Sequence, residues 1–157
     1  MQIAKHRKAK KVQEALGPDF TVLEFDQPTA SAAQAATAIG CTVAQIAKSL
    51  VFVDAEGAPV LVIASGASRV DEAKVGQILG TQIHRADAGF VKSATGFSIG
   101  GVPPVGHAKR PFVLLDQDLE GFTQIWAAAG TPNAVFKLTP NQLKQLTGGV
   151  YCDIKSI

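Results

Sequence analysis

Residues Gly100-Gly101-Val102-Pro103-Pro104-Val105-Gly106-His107 make a segment through which neither a helix nor a strand can run. Glycine opens backbone dihedrals closed to other residues, and each proline fixes φ and removes an N–H donor. The segment therefore reads as a stiff loop whose remaining amides, at Gly100, Gly101, Val102, Val105 and Gly106, can approach a ligand closely. Amides held this way can bind an oxyanion, a phosphate or a carboxylate through the main chain alone. A rigid turn between two strands would use the same residues, so the rest of the chain has to decide between the two.

Bulk properties narrow the class. At 157 residues, with 46% hydrophobic and 18% charged positions, the chain suits one globular domain over 1–157. No apolar run is long enough to span a bilayer, and no signal-type apolar segment follows the basic N-terminus. A cytoplasmic protein with no membrane partner is expected. Cys41 and Cys152 form no CxxC pair and read as free thiols, Cys41 as a buried structural one. His6, His84 and His107 are scattered and no HExxH occurs, so neither a metal nor another cofactor is expected.

Charge is unevenly placed. Lys5, Arg7, Lys8, Lys10 and Lys11 put five cations and no acid into the first eleven residues, and the remainder carries 10 basic and 13 acidic residues. Such a helix is either a solvated face or a contact for a polyanion.

Along the chain, residues 4–16 read as a helix with Val12, Leu16 and alanines inward, ended by Gly17-Pro18. Thr21–Phe25 alternate as a strand with Leu23 and Phe25 on one face. Ser31 to Gln34 read as a capping box opening an alanine-rich helix closed by Gly40. A short helical turn at Gln45–Lys48 leads into the strand Ser49–Val53. Glu56-Gly57 turns this strand into Pro59–Ala64, a hairpin expected at the sheet centre. Helices are expected at Asp71–Leu79, with Val75, Ile78 and Leu79 apolar, and near Asp87–Ser93, with a short strand at Gln82–His84 between them. Strands follow at Phe112–Leu115, Gln124–Ala128 and Val135–Leu138. Thr139-Pro140-Asn141-Gln142 caps a last helix, and Val150–Ile154 closes the chain as a strand. Hairpins mixed with single helices predict an α+β fold with a mixed, mostly antiparallel curved sheet flanked by helices.

Few side chains carry obvious chemistry. Lys48 lies between the apolar segments Val43–Ala47 and Leu50–Val53. Either its stem packs and its ammonium reaches water, or it is a fixed cation at a sheet end aimed at negative charge. His107 could act as acid or base, or cap its turn. Asp116 reads as a turn residue after its strand. No nucleophile elbow, P-loop or dinucleotide fingerprint is present.

These features occur together in one family. The order "QIAKSLVF", "PVLVIASG", "TGFSIGGVPPVGH" and "AAAGTPNAVFKL", from about Thr21 to Ile154, resembles the YbaK/ProX family of freestanding aminoacyl-tRNA deacylases. That family is related to the editing domain inserted in bacterial-type prolyl-tRNA synthetases. The resemblance implies hydrolysis of the ester joining a wrong, small amino acid to the terminal ribose of a tRNA, on a proline tRNA or a related one. It implies Lys48 as the residue most needed for activity, acting through the terminal nucleotide, and Gly101 as the amide donor to the scissile carbonyl. Thr29, Ser49, Gly100, Val102 and Pro103 are expected to bind substrate, as are Pro104, Gly106, His107 and Gly130. Aminoacyl-tRNA is the expected partner, with an aminoacyl-tRNA synthetase as a further one.

The reading fits the residues themselves, because ester hydrolysis passes through an oxyanion that rigid amides stabilise. A second sieve is also what discrimination among small apolar side chains requires. Cysteine-specific members resemble Gly-Gly-Ile-Ser-Pro-Leu-Gly at the loop, where this chain has Pro103 for the serine. They tend to have serine where Ala128 aligns. These departures leave alanine, serine, threonine or another small residue open. A non-catalytic module that only binds the aminoacyl end or a nucleotide is the alternative. A DNA-binding role for the first helix has no helix-turn-helix signature behind it.

Overall fold

A computed structural model of the protein describes residues 1–29 and 31–157. The expected α+β fold is present as one open sheet with helices against it. The strands are β1 (Gln2–Ile3), β2 (Val22–Glu24), β3 (Ile46–Asp54), β4 (Pro59–Ser65), β5 (Ile83–Arg85), β6 (Phe112–Asp116), β7 (Ile125–Ala128), β8 (Ala134–Leu138) and β9 (Val150–Cys152). The helices are α1 (Arg7–Leu16), α2 (Ala32–Ile39), α3 (Glu72–Leu79), α4 (Ala88–Thr95) and α5 (Pro140–Thr147). Strand order is β1-β2-β8-β7-β3-β4-β6-β9, with β5 also paired to β3. Three pairings (β3–β7, β4–β6, β6–β9) are parallel and the others antiparallel.

The hairpin β3–β4 lies at the centre, as its Val- and Ile-rich sequence predicts. Its alternation separates two cores. Leu61 and Ile63 face one side with Val12, Ile125 and Phe136, and Val60, Val62 and Ala64 face the other with Phe52, Val75 and Leu114. α1 closes the first core with Ala9 and Val12, both fully buried. A smaller cluster joins Ala35 and Ala36 of α2 to Ile46, with Trp126 packed against it.

Local sequence chemistry sets the element ends. Ser31 caps α2 by accepting from the Gln34 amide, and Thr139 and Gln142 form a reciprocal capping box on α5. Gly40 and Gly148 end these helices in the left-handed region, where a side chain would be strained.

Several expectations are corrected. The strand expected over Thr21–Phe25 is confined to Val22–Glu24, and Val22, paired with Phe136 of β8, is its fully buried residue. The turn before β3 is a 3-10 turn at Val43–Gln45, so Lys48 lies inside the strand. Ile78 is 47% exposed, because α3 turns Val75 inward instead. The sequence reading lacked β1 and the 3-10 turn at Gln117–Gly121.

Candidate functional site

The central strand forks the sheet. On one side β4 pairs with β3 from Ala47 to Val53. On the other side β7 reaches only Ile46 and Ala47, and β5 begins only at Phe52. Among the described residues, Lys48–Val51 thus have no strand beside them on that edge. The Gly66 amide donates to the Ile46 carbonyl at 2.7 Å, and the Asp54 amide to Ala58 at 3.0 Å. By antiparallel alternation the even-numbered residues of β3 then bond to β4, and the odd-numbered ones turn their main chain to the fork. Val51 is served there by the Ala86 amide at 3.3 Å. Ser49 is reached by neither ladder.

A cavity of about 230 Å³ occupies this fork. It holds the volume of roughly eight waters, which suits a small ligand. Ala32 and Ala35 of α2, Ala47, Ala127, Ala128 and Ala134 keep it open, and Ile46, Trp126, Val102 and Val135 add apolar wall. Residues from both faces of β3, Lys48 and Ser49 among them, border it because the gap passes through the sheet.

The polar groups divide into those already engaged and those free. Thr29 clasps Pro132, its Oγ donating at 2.8 Å and its amide at 3.0 Å to the same carbonyl. Thr131 Oγ donates to Asn133 at 3.0 Å. The Ser49 hydroxyl is buried without a partner among the described residues. Gly100 and Val102 border the cavity, and among the described residues their amides have no protein acceptor.

Gly101 is placed differently from its expectation. Its amide donates to Ser98 at 3.0 Å, and its carbonyl accepts from Gly130 at 2.9 Å. A Cβ there would sit 2.9 Å from Thr131 Cα and 3.0 Å from the Gly130 carbonyl carbon. Glycine at 101 lets two main chains touch behind the cavity wall. Gly130 does the same against α1, where a Cβ would lie 2.8 Å from the Lys8 carbonyl oxygen.

The glycine-proline loop also has two sides. Pro103 and Pro104 are buried. Pro104, Gly106 and His107 border a separate groove with Arg110 and Leu146, away from the Lys48 cavity. His107 Nε2 lies 2.6 Å from the Pro103 carbonyl oxygen, to which it donates as the neutral tautomer, leaving Nδ1 buried and unpartnered. Burial pushes its pKa below the ordinary value.

Lys48 donates from Nζ to the Ser68 carbonyl at 2.8 Å. Burial lowers its pKa, the charge of Asp116 opposes this, and Arg85 adds to the lowering. Asp116 is 1% exposed and accepts from the Ser65 amide at 3.0 Å and the Asp118 amide at 2.9 Å. It caps the turn after β6, as expected.

Sequence reasoning missed Ile99, Trp126 and Thr131, all bordering the cavity. Trp126 carried a signal, as the one tryptophan of the chain on an otherwise alanine-rich strand. Among the described residues no group of three His, Cys, Asp or Glu could hold a metal, and no helix is long and apolar enough to cross a membrane.

Residues 26–146 match the aminoacyl-tRNA editing domain. The chain is 36% identical over 126 residues to the uncharacterized protein YwhH of Bacillus subtilis, covering 80% of each. It is 27% identical over 128 residues to EbsC of Enterococcus faecalis, named as a candidate Cys-tRNA(Pro)/Cys-tRNA(Cys) deacylase, covering 79% of this chain and 76% of EbsC. A crystal structure described as a candidate trans-editing enzyme for prolyl tRNA synthetase superposes with a TM-score of 0.93 at 41% identity, over 98% of this chain and 100% of the other. The cavity at the fork of β3 falls within the matched span, and the chain belongs to the aminoacyl-tRNA editing domain family.

Proposed function

We propose that the protein is a trans-editing deacylase that hydrolyses the ester between a small amino acid and the terminal ribose of a mischarged tRNA, on a proline tRNA or a related one. The observation that carries this reading is the fork cavity, where free main-chain groups and a cation meet alanine-rich walls. The aminoacyl side chain enters between α2, Trp126 and Ala128, and the walls act as a sieve on its size. A water oxygen, oriented by a hydroxyl of the substrate ribose, attacks the carbonyl carbon. The tetrahedral oxyanion accepts from the amides of Gly100 and Val102, which stand in for the engaged Gly101. Collapse breaks the bond to the ribose oxygen, which takes up the proton released by the nucleophile.

Lys48 gives up its bond to Ser68, or shares it, to hold the terminal nucleotide by its negative charge. An ester is activated enough that oriented amides and a fixed cation supply the catalysis, with no protein-held metal. The names of the similar proteins support the same substrate class and a prolyl-tRNA synthetase as the partner in translation fidelity.

The test is release of free amino acid from tRNAs charged with Ala, Cys, Ser, Thr or Pro. Turnover of one mischarged species, lost in Lys48→Ala, is the expected result. Retention of every ester with binding of charged tRNA intact would make the protein a binding module instead.

A further inference from the structure

The first helix carries charge that the fold does not use. Arg7, Lys10 and Lys11 of α1, and Lys5 just before it, are exposed, and among the described residues none is in an ion pair. With Glu14 they border one open depression. Glu24 is engaged with the main-chain amides of Lys5 and His6, so Glu14 is the acid that the depression sets against its four cations.

Lys8 behaves differently. Its ammonium donates to the Gly96 carbonyl at 2.6 Å and lies 5.4 Å from the centre of the Phe97 ring, with Lys11 at 5.7 Å from the same ring. Its pKa is lowered by desolvation and by the charges of Lys11, Lys92 and Arg7. Like charges crowded without counter-ions are relieved by a bound polyanion. Lys8 thus ties the helix to Gly96-Phe97, the segment that leads directly into the cavity wall at Ile99–Val102, and α1 also abuts Gly130.

We infer that the face of α1 formed by Arg7, Lys10 and Lys11, with Lys5, seats the phosphate backbone of the RNA stem whose end enters the fork cavity. The inference rests on the proposed function for its choice of RNA. The helix is fixed to the same segment as the cavity wall, so backbone contacts there set the register of the strand end relative to the free amides. Phosphate contacts position without reading sequence, so the face contributes affinity common to many tRNAs, and the cavity supplies selection.

The test uses the full chain and a fluorescently labelled, uncharged acceptor-stem RNA hairpin ending in single-stranded CCA, read by anisotropy across a salt series. This readout is independent of turnover. The variant Arg7→Gln/Lys10→Gln/Lys11→Gln changes only exposed positions, and its circular dichroism and urea midpoint verify folding. The expected result is a Kd raised about tenfold or more, with the slope of log K against log salt reduced by about 2 to 3. Release of amino acid from an aminoacyl-adenosine, which lacks the stem, stays at the wild-type rate. An unchanged Kd and an unchanged slope would overturn the assignment of this face. Failure of the wild type to release amino acid from any charged tRNA would overturn the deacylase reading and leave the salt-slope result standing by itself.

Discussion

Lys48 Nζ donates to the main-chain oxygen of Ser68 at 2.8 Å, from inside β3 to the turn that follows β4. Ser68 is 7% exposed, so this bond answers an acceptor with little access to water. Lys48→Ala is therefore expected to reduce deacylation about 100-fold or more, and to lower stability by about 1 kcal/mol through the unanswered carbonyl. Single-turnover rates on charged tRNA and urea denaturation measure the two effects separately. Lys48→Arg should restore much of the stability and little of the rate, because a planar guanidinium replaces a compact point charge.

At Gly101 the obstacle to any side chain is space. Gly101→Ala places a methyl group 2.9 Å from Thr131 Cα, against main chain that has no room to yield. A loss of about 1–3 kcal/mol is expected from this overpacking. The cavity wall shifts with it, so kcat should fall more than KM rises. Gly106→Ala, placed outside the cavity, should leave KM unchanged in the same assay.

His107 should make stability depend on pH. Its pKa in the folded protein lies below the ordinary 6.5, chiefly because burial disfavours the imidazolium, although the Pro103 carbonyl pulls the other way. As pH falls, the unfolded chain takes up the proton first. The contribution is therefore fully present above about pH 6.5 and is lost as pH falls toward the folded value. Urea midpoints of wild type and His107→Gln between pH 8 and 5 test this. The wild type should lose stability on the acid side more steeply than the variant, whose amide can still donate to Pro103.

Much of this fold is written locally. The Ser31 cap of α2, the capping box at Thr139, the glycines closing α2, α3 and α5, and the β3–β4 hairpin each follow from a few adjacent residues. The fork does not. It exists because β3 changes its neighbour from β7 to β5, strands that lie far apart in sequence and on opposite ends of one edge. For the same reason, the sequence marks Ser49 as a candidate but does not show that its main chain is left free by both ladders. In the glycine-proline loop the sequence shows that amides are available but not which ones the fold consumes. The Gly101–Ser98 turn and the contact with Thr131 are tertiary facts. Lys48 stood out because a cation inside an apolar strand conflicts with its surroundings, and such conflicts concentrate at functional sites.

The central claim, that substrate is held by the free main chain at the fork of β3, is tested most directly by NMR. ¹⁵N-labelled protein would be titrated with a hydrolysis-resistant amide analogue of aminoacyl-adenosine, and the backbone amide shifts followed. The account predicts that the largest shifts fall at Ser49, Gly100 and Val102, with Gly106 and His107 nearly still. Shifts centred on Gly106 and His107, with Ser49 unmoved, would contradict it.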